Sequence, residues 1–304
     1  MKTRRVRKTT YQLDSAISLT IALVTDFHND SAYLQVLDIL KDNPANLIAI
    51  AGDLFKGFRP ESNRSPFDMA KKVLPLLETC AKLAPTVMSI GNHDWLLSEE
   101  NVEHIKSMGI TVLDNEWTRL SAGGYDFAVG GLTSAKITEY WNFRRQYYLE
   151  NGTENRYPYR DKAHTPRVRI PESAWLDAFE RQEGYKVLLC HNPEYWAVQK
   201  PFLKDHKLDL VLSDHAHGGQ IRVINRGLWA SEQGWLAKYV RGVYNDGNGK
   251  LVVSTGIANT ALLLAGLAES GSAHWQGFHS CVPVSASAPR FPSAVLLQTG
   301  SAGG

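Results

Sequence analysis

The sequence predicts an α/β protein built on a largely parallel sheet. Three observations carry this expectation: short unbroken runs of aliphatic and β-branched residues recur along the chain, helix-period segments lie between them, and each run ends at a polar cluster. Unbroken apolar runs are what a strand buried on both faces requires, and strand alternating with helix favours parallel pairing.

The strand candidates are Leu19 to Val24, Leu47 to Ala51, Thr86 to Ile90, Lys186 to Cys190 and Leu208 to Leu212. Among the intervening segments, residues 31–41 carry Leu34, Leu37 and Leu40 at three-residue spacing with Val36 beside them. Residues 98–108 place Val102, Ile105 and Met108 behind Ser98-Glu99-Glu100, a favourable helix start. Residues 172–183 follow Pro171, suited to a first helical turn, and are expected to bury Trp175, Leu176 and Phe179. Glu139 to Arg160 fits neither period, being rich in Tyr and Arg and poor in aliphatic residues. It reads as a long surface excursion, either a substrate-facing lid or an ordinary packed insertion.

Composition bounds the function. With 304 residues, 43% hydrophobic and 21% charged, one large globular domain is expected. The net charge of +2 gives none of the electrostatic footprint of a dedicated nucleic-acid binder, and leaves a small or lipid-borne anionic substrate open. Cys80, Cys190 and Cys281 are odd in number and lack a C-x-x-C pattern, which argues against a disulfide framework or a structural zinc site and for buried thiols in a reducing compartment. The N-terminus is basic, but the apolar run from Ala16 to Thr25 meets Asp26 well short of the ~20 residues needed to span a bilayer. The protein is expected to be cytoplasmic, its basic arm a solvated tail or a weak contact with anionic lipid at the inner face of the membrane. Oligomeric state is not legible.

What stands at the strand ends is more specific. Val24 is followed by Thr25-Asp26-Phe27-His28, Ala51 by Gly52-Asp53, and Ile90 by Gly91-Asn92-His93-Asp94. Cys190 is followed by His191-Asn192-Pro193, and Leu212 by Ser213-Asp214-His215-Ala216-His217-Gly218-Gly219. Five strands thus deliver oxygen and imidazole donors to one sheet edge, where open α/β folds place their sites. Asp26 with His28, and His215 with His217, are i, i+2 pairs that extended backbone would point to one side.

This succession, Asp-x-His, Gly-Asp, Gly-Asn-His-Asp, His-Asn-Pro and His-x-His-Gly-Gly-Gln, resembles the calcineurin-like metallophosphoesterase superfamily over residues 21–220, with an echo to about residue 260. The Gly-Gly-Gln ending at Gln220, with Gly227-Leu228-Trp229-Ala230 and Gly256-Ile257-Ala258-Asn259-Thr260, is similar to a bacterial branch, some of whose members hydrolyse a UDP-linked diacylglucosamine. The resemblance implies two packed mixed β-sheets flanked by helices, an α/β/β/α fold. It divides the chain into a basic arm and first strand at 1–18, the metallophosphoesterase domain at 19–261, and an atypical Ala, Ser and Gly-rich C-terminal segment at 262–304.

The resemblance also implies two divalent metal ions. Asp26, His28 and His217 would bind one, Asn92, His191 and His215 the other, with Asp53 bridging. Carboxylate, amide and imidazole without thiolate suit Mn²⁺ foremost, with Fe or Zn²⁺ as alternatives. The implied reaction is hydrolysis of a phosphodiester or phosphomonoester by hydroxide formed from water at the two ions. A membrane-associated pyrophosphatase acting on a UDP-linked lipid precursor and a non-catalytic scaffold are the alternatives. His93 is expected to face the substrate rather than a metal, with Asp94 orienting its ring.

Two departures from the pattern stand out. Asp214 occupies a position where the family has Gly, which puts a side chain beside the second metal; it either strains the turn or tunes the site, or, as the favoured expectation, faces outward in a permissive loop. Residues 262–288 separate Thr260 from Pro289-Arg290-Phe291 and a last strand at 294–297, as an insertion or poorly ordered stretch, and His274 and His279 within it receive no role. Substrate contacts are not assigned. Lys56, Arg59, Arg64, Arg144, Arg145 and Arg160 could meet an anion or lie on solvated surface.

Overall fold

A computed structural model describes residues 6–56, 66–94, 97–134, 174–219, 221–223, 226–230, 232–257, 262–263 and 293–300. The expected lid at 139–160, all the arginines named above, Gln220, Cys281 and most of 262–292 lie outside these residues.

The first sheet is ordered β1 (Arg7–Asp14), β16 (Ser293–Gly300), β2 (Leu19–Val24), β3 (Leu47–Ala51), β4 (Thr86–Ser89) and β5 (Ile110–Leu113). Pairing from β2 to β5 is parallel, while β16 runs antiparallel to β2 and parallel to β1. The second sheet runs β13 (Gly242–Tyr244), β14 (Lys250–Val253), β9 (Leu210–Ser213), β8 (Tyr185–Cys190), β7 (Tyr125–Leu132) and β6 (Glu116–Ala122). Its centre, β14-β9-β8-β7, is parallel, and β13 and β6 close its edges antiparallel. A small third sheet joins β12 (Gly234–Trp235), β11 (Arg226–Ala230), β10 (Ile221–Val223) and β15 (Leu262–Leu263).

Both large sheets are covered on both faces, which is why their central strands are apolar throughout. Ile21, Leu23, Leu47, Ala49, Val87, Val187, Leu189, Leu210 and Leu212 fill the layer between the sheets. The alternate residues Ala22, Val24, Ile48, Ile50 and Met88 pack under α1 (Tyr33–Asp42), α3 (Val73–Leu83) and α4 (Glu99–Ser107). On the far side, Leu188, Cys190 and Val211 pack with Leu176 and Phe179 of α5 (Leu176–Glu180) and with Tyr195 and Trp196 of α6 (Glu194–Ala197). A short α2 (Pro66–Met69) precedes α3. The layers are therefore helix, sheet, sheet, helix, the architecture implied by the resemblance.

Local differences have physical causes. Leu34 is 59% exposed and α1 buries Val36, Leu37 and Leu40 instead. At ~100° per residue, Leu34 and Leu40 stand ~120° apart around the axis, too far to share a face. Helix α4 begins at Ser98, whose side chain accepts from the Asn101 backbone in a capping box. Helix α5 is short, Trp175 caps it half-buried, and the residues toward Pro171 lie outside those described. The arm is tied down from Arg7 onward as β1, with Lys8 Nζ donating to Asn43 Oδ1. Among the described residues no helix is long and apolar enough to cross a membrane.

Candidate metal centre

The parallel strands of both sheets end at one edge, and the polar clusters converge there. Asp26 and His28 follow β2, Asp53 follows β3, and Asn92 and His93 follow β4, all in the first sheet. His191 follows β8, and His215 and His217 follow β9, in the second. Asp26, Asp53, His28, His191 and His217 are buried, while Asn92, His93 and His215 are half-buried.

The backbone is not extended here. Asp26, His28, Asp53, His215 and His217 all lie in the left-handed region, at φ of 49°, 46°, 56°, 60° and 47°. The i, i+2 argument from extended strands is thereby corrected: each pair sits on a tight turn, tied across the sheet by Asp26 N–H donating to Gly52 O and His28 N–H to Asp53 O. A non-glycine residue so placed costs about 1–3 kcal/mol unless its surroundings impose it. That five donors share the conformation marks the edge as a built site.

Asp26 Oδ1 lies 3.0 Å from His28 Nε2 and 3.2 Å from His217 Nε2, while Oδ2 accepts from the His215 backbone N–H at 3.1 Å. Asp53 Oδ2 lies 3.2 Å from His191 Nε2 and 3.8 Å from His28 Nε2, and its Oδ1 accepts from the His93 backbone N–H at 2.8 Å. Donor atoms of Asp26, His28 and His217 fall within 4.8 Å of one another, as do those of Asp26, Asp53 and His191. The same holds for His28, Asp53 and His93, so distance alone does not set His93 apart from a ligand. His215 joins none of these groups; its ring stands edge-on to His191 with centroids 5.1 Å apart.

Charge is concentrated here. Burial pushes the Asp26 carboxyl up, but His217, His191 and His28 outweigh it and hold it well below the usual range. Asp53 is held low in the same way by His191 and His93 against its burial. His28 is lifted to about 9 by Asp26 and Asp53 despite burial, whereas burial drives His217 down to about 4 against the pull of Asp26. His93 is also pushed down by burial, with Asp53 opposing.

The residues fit a pair of divalent ions. Asn92 Oδ1, His215 Nε2 and His217 Nδ1 are buried without hydrogen-bond partners among the described residues, a concentration of orphaned donors and acceptors that native interiors rarely hold. The set is oxygen and imidazole with no thiolate. The remote nitrogens Nδ1 of His28 and His191 each lie 2.9 Å from a carbonyl, Phe55 O and Ala51 O, and so carry a proton, which leaves Nε2, the atom facing the carboxylates, as the one that would turn its lone pair to an ion.

Two expectations are corrected. Asp94 does not hold the His93 ring: Oδ2 accepts from the backbone N–H of Asp53 and Gly91, and Oδ1 from that of Phe55. The Gly91–Asp94 turn, closed by Asp94 N–H donating to Gly91 O, folds the carboxylate back onto the neighbouring loop. With Asp53 beside it, burial raises this carboxyl to about 7. Asp214 is buried rather than outward-facing. Its N–H donates to His191 O and its carbonyl accepts from Ala216 N–H, a turn that aims the side chain inward beneath Gly256. Burial and the Asp26 carboxylate hold it well above its usual range. The departure from Gly at Asp214 was the signal in the sequence, with the inward orientation the less favoured reading, while Gly256 is the site residue that sequence reasoning missed.

A family model described as calcineurin-like phosphoesterase matches residues 19–219, which contain every donor above. The chain belongs to the calcineurin-like phosphoesterase family. Among curated relatives of this phosphoesterase, the uncharacterized protein YpbG of Bacillus subtilis is 25% identical over 67% of the chain and 63% of its own length. Phosphodiesterase YaeI of Escherichia coli is 26% identical over 69% of the chain and 64% of its own length. The chain thus spans less than two thirds of the length of these relatives. Among solved structures, a dimetal phosphatase from Danio rerio is similar at 13% identity and a TM-score of 0.45, over 79% of this chain and 88% of that one.

Proposed function

We propose that this centre hydrolyses phosphate esters, diesters foremost, with two divalent ions held by Asp26, His28 and His217 on one side and by Asn92, His191 and His215 on the other. Asp53 stands between them. The observation that carries the reading is that one oxygen, Asp53 Oδ2, faces both His28 and His191, one from each set. Such a pair, when bound, supplies Lewis acidity toward water and phosphoryl oxygens.

The chain's own residues do the rest. The His93 backbone N–H fixes Asp53 through Oδ1, leaving Oδ2 for the shared position. The His93 ring, edge-on to His28 with centroids 4.9 Å apart, presents an N–H to the phosphoryl or leaving oxygen. Asp94 keeps the loops after β3 and β4 in register by gathering three backbone amides. The diester preference draws on the name of the Escherichia coli relative, and Mn²⁺ on the donor chemistry.

The test is metal content together with Mn²⁺-dependent hydrolysis of bis-p-nitrophenyl phosphate and p-nitrophenyl phosphate, beside Asp53→Asn. About two ions per chain, faster turnover of the diester and loss of activity in the variant are expected. No bound metal and no turnover would overturn the reading in favour of a scaffold.

A second reading, hydrolysis of a lipid-linked pyrophosphate at a membrane surface, is favoured by one observation. Trp235, at the end of β12, and Leu236 directly after it are 71% and 79% exposed. The turn end of the β11–β12 hairpin packs through Ala230 on Ala216, the residue between His215 and His217. Activity that rises with liposomes and falls for Trp235→Ser would support it.

A further inference from the structure

We propose that Asp214 is a positioning residue of this centre: its carboxylate, directly or through one water, receives the Nδ1–H of His217 and so keeps Nε2 turned toward the ion. The inference rests on the metal-centre reading above and adds a residue that the family pattern does not contain.

His217 Nε2 faces Asp26 Oδ1 at 3.2 Å, so Nδ1 is the nitrogen remote from the donors. The remote nitrogens of His28 and His191 each have a carbonyl, whereas His217 Nδ1 is buried with no partner. Both oxygens of Asp214 are likewise buried with no donor. The two unmatched groups border the same small space in front of Gly256. A Cβ built on Gly256 would lie 2.8 Å from Asp214 Oδ2, 3.3 Å from His217 Nδ1 and 2.6 Å from the Asp26 Cβ. Gly256, at φ 70°, leaves open the space that lets an acid approach this histidine from behind. A ligating imidazole almost always passes its second N–H to a carboxylate, carbonyl or water. Asp214 also faces the Asp26 carboxylate, but among the described residues no N–H donates to either of its oxygens.

Co²⁺ titration of the metal-stripped full chain, followed calorimetrically and by visible absorption, reads each ion separately. Asp214→Leu keeps the shape and removes the acceptor; it should weaken one ion by about 10- to 100-fold and leave the other near wild type. Asp214→Asn, whose amide oxygen still accepts, should recover most of the loss. Long-range ¹H–¹⁵N correlation of the Zn²⁺-loaded wild-type chain should show His217 protonated at Nδ1, which keeps the test decisive if the Leu variant fails to fold. Wild-type affinities for both ions in Asp214→Leu, equal weakening of both, or His217 bonded to the ion through Nδ1 would overturn the proposal. A wild-type chain that takes up no Co²⁺ would instead remove the metal-centre reading, and this inference with it.

Discussion

A Cβ on Gly91 would lie 2.2 Å from Oδ1 of Asp53 and 2.4 Å from its backbone nitrogen. The loop bearing Asn92 and His93 therefore crosses the central carboxylate only because a side chain is missing there. Gly91→Ala should cost about 1–3 kcal/mol as an overpacked core site and lower metal content without altering any donor. Denaturant unfolding and metal analysis check both; a variant with full metal content and wild-type stability would contradict the close approach.

His93 donates its backbone N–H to Asp53, and its ring stands edge-on to His28. His93→Ala should keep both ions, because the backbone N–H to Asp53 remains, and lose about 10²-fold or more in turnover. Steady-state kinetics on metal-analysed protein decide between this role and that of a ligand, which would show as metal loss.

Asp94 is expected to matter for stability before catalysis. Asp94→Ala leaves the amides of Asp53, Gly91 and Phe55 buried without acceptors, at about 1–3 kcal/mol for each one that water cannot reach. The loss should appear in metal-free protein as well, and Asp94→Asn should restore part of it. Equal melting of wild type and Asp94→Ala without metal would refute the bracing role.

Acid stability has a component remote from the donors. Asp246, between β13 and β14, accepts from Trp196 Nε1 and Tyr239 Oη and pairs with Lys238. These contacts outweigh its slight burial and bring the carboxyl down from 3.8 to about 2. A carboxyl depressed in the folded state stabilises fully above its ordinary value and loses that contribution as pH falls through the folded one. The stability gap between wild type and Asp246→Asn should thus be constant above about pH 4.5 and close toward about pH 2. Urea unfolding at several pH values measures it, and a gap that persists at the acid end would exclude the assignment.

The central strands and their polar ends were legible because burial on both faces leaves long apolar runs and the donors stand directly after them. Helix α3 was not read: it carries Pro75 in its first turn, and Lys72 gives it no side-chain cap. The left-handed turns at Asp26, His28 and Asp53 were equally hidden, since they are imposed by bonds across the sheet such as His28 N–H to Asp53 O. The partner of Asp94 and the orientation of Asp214 were hidden for a related reason. Their partners, Phe55 for one and Gly256 for the other, lie about forty residues away along the chain, and turn chemistry alone could not choose between facing water and facing the interior.

Asp26, Asp53 and Asn92 come from one sheet, and His191, His215 and His217 from the other. The centre is in that respect a vernier: it reads the alignment of two hydrogen-bonded plates whose mutual offset is set by the greasy layer between them and by a few bonds at the rim, such as His191 Nδ1 to Ala51 O and Ser134 N–H to Ile90 O. A slip of one residue, about 3.3 Å, would pull its two halves out of reach while leaving each plate intact. Substitutions at Val87, Leu189 or Leu212, well away from any donor, are therefore places where shape errors would surface as lost chemistry rather than lost fold.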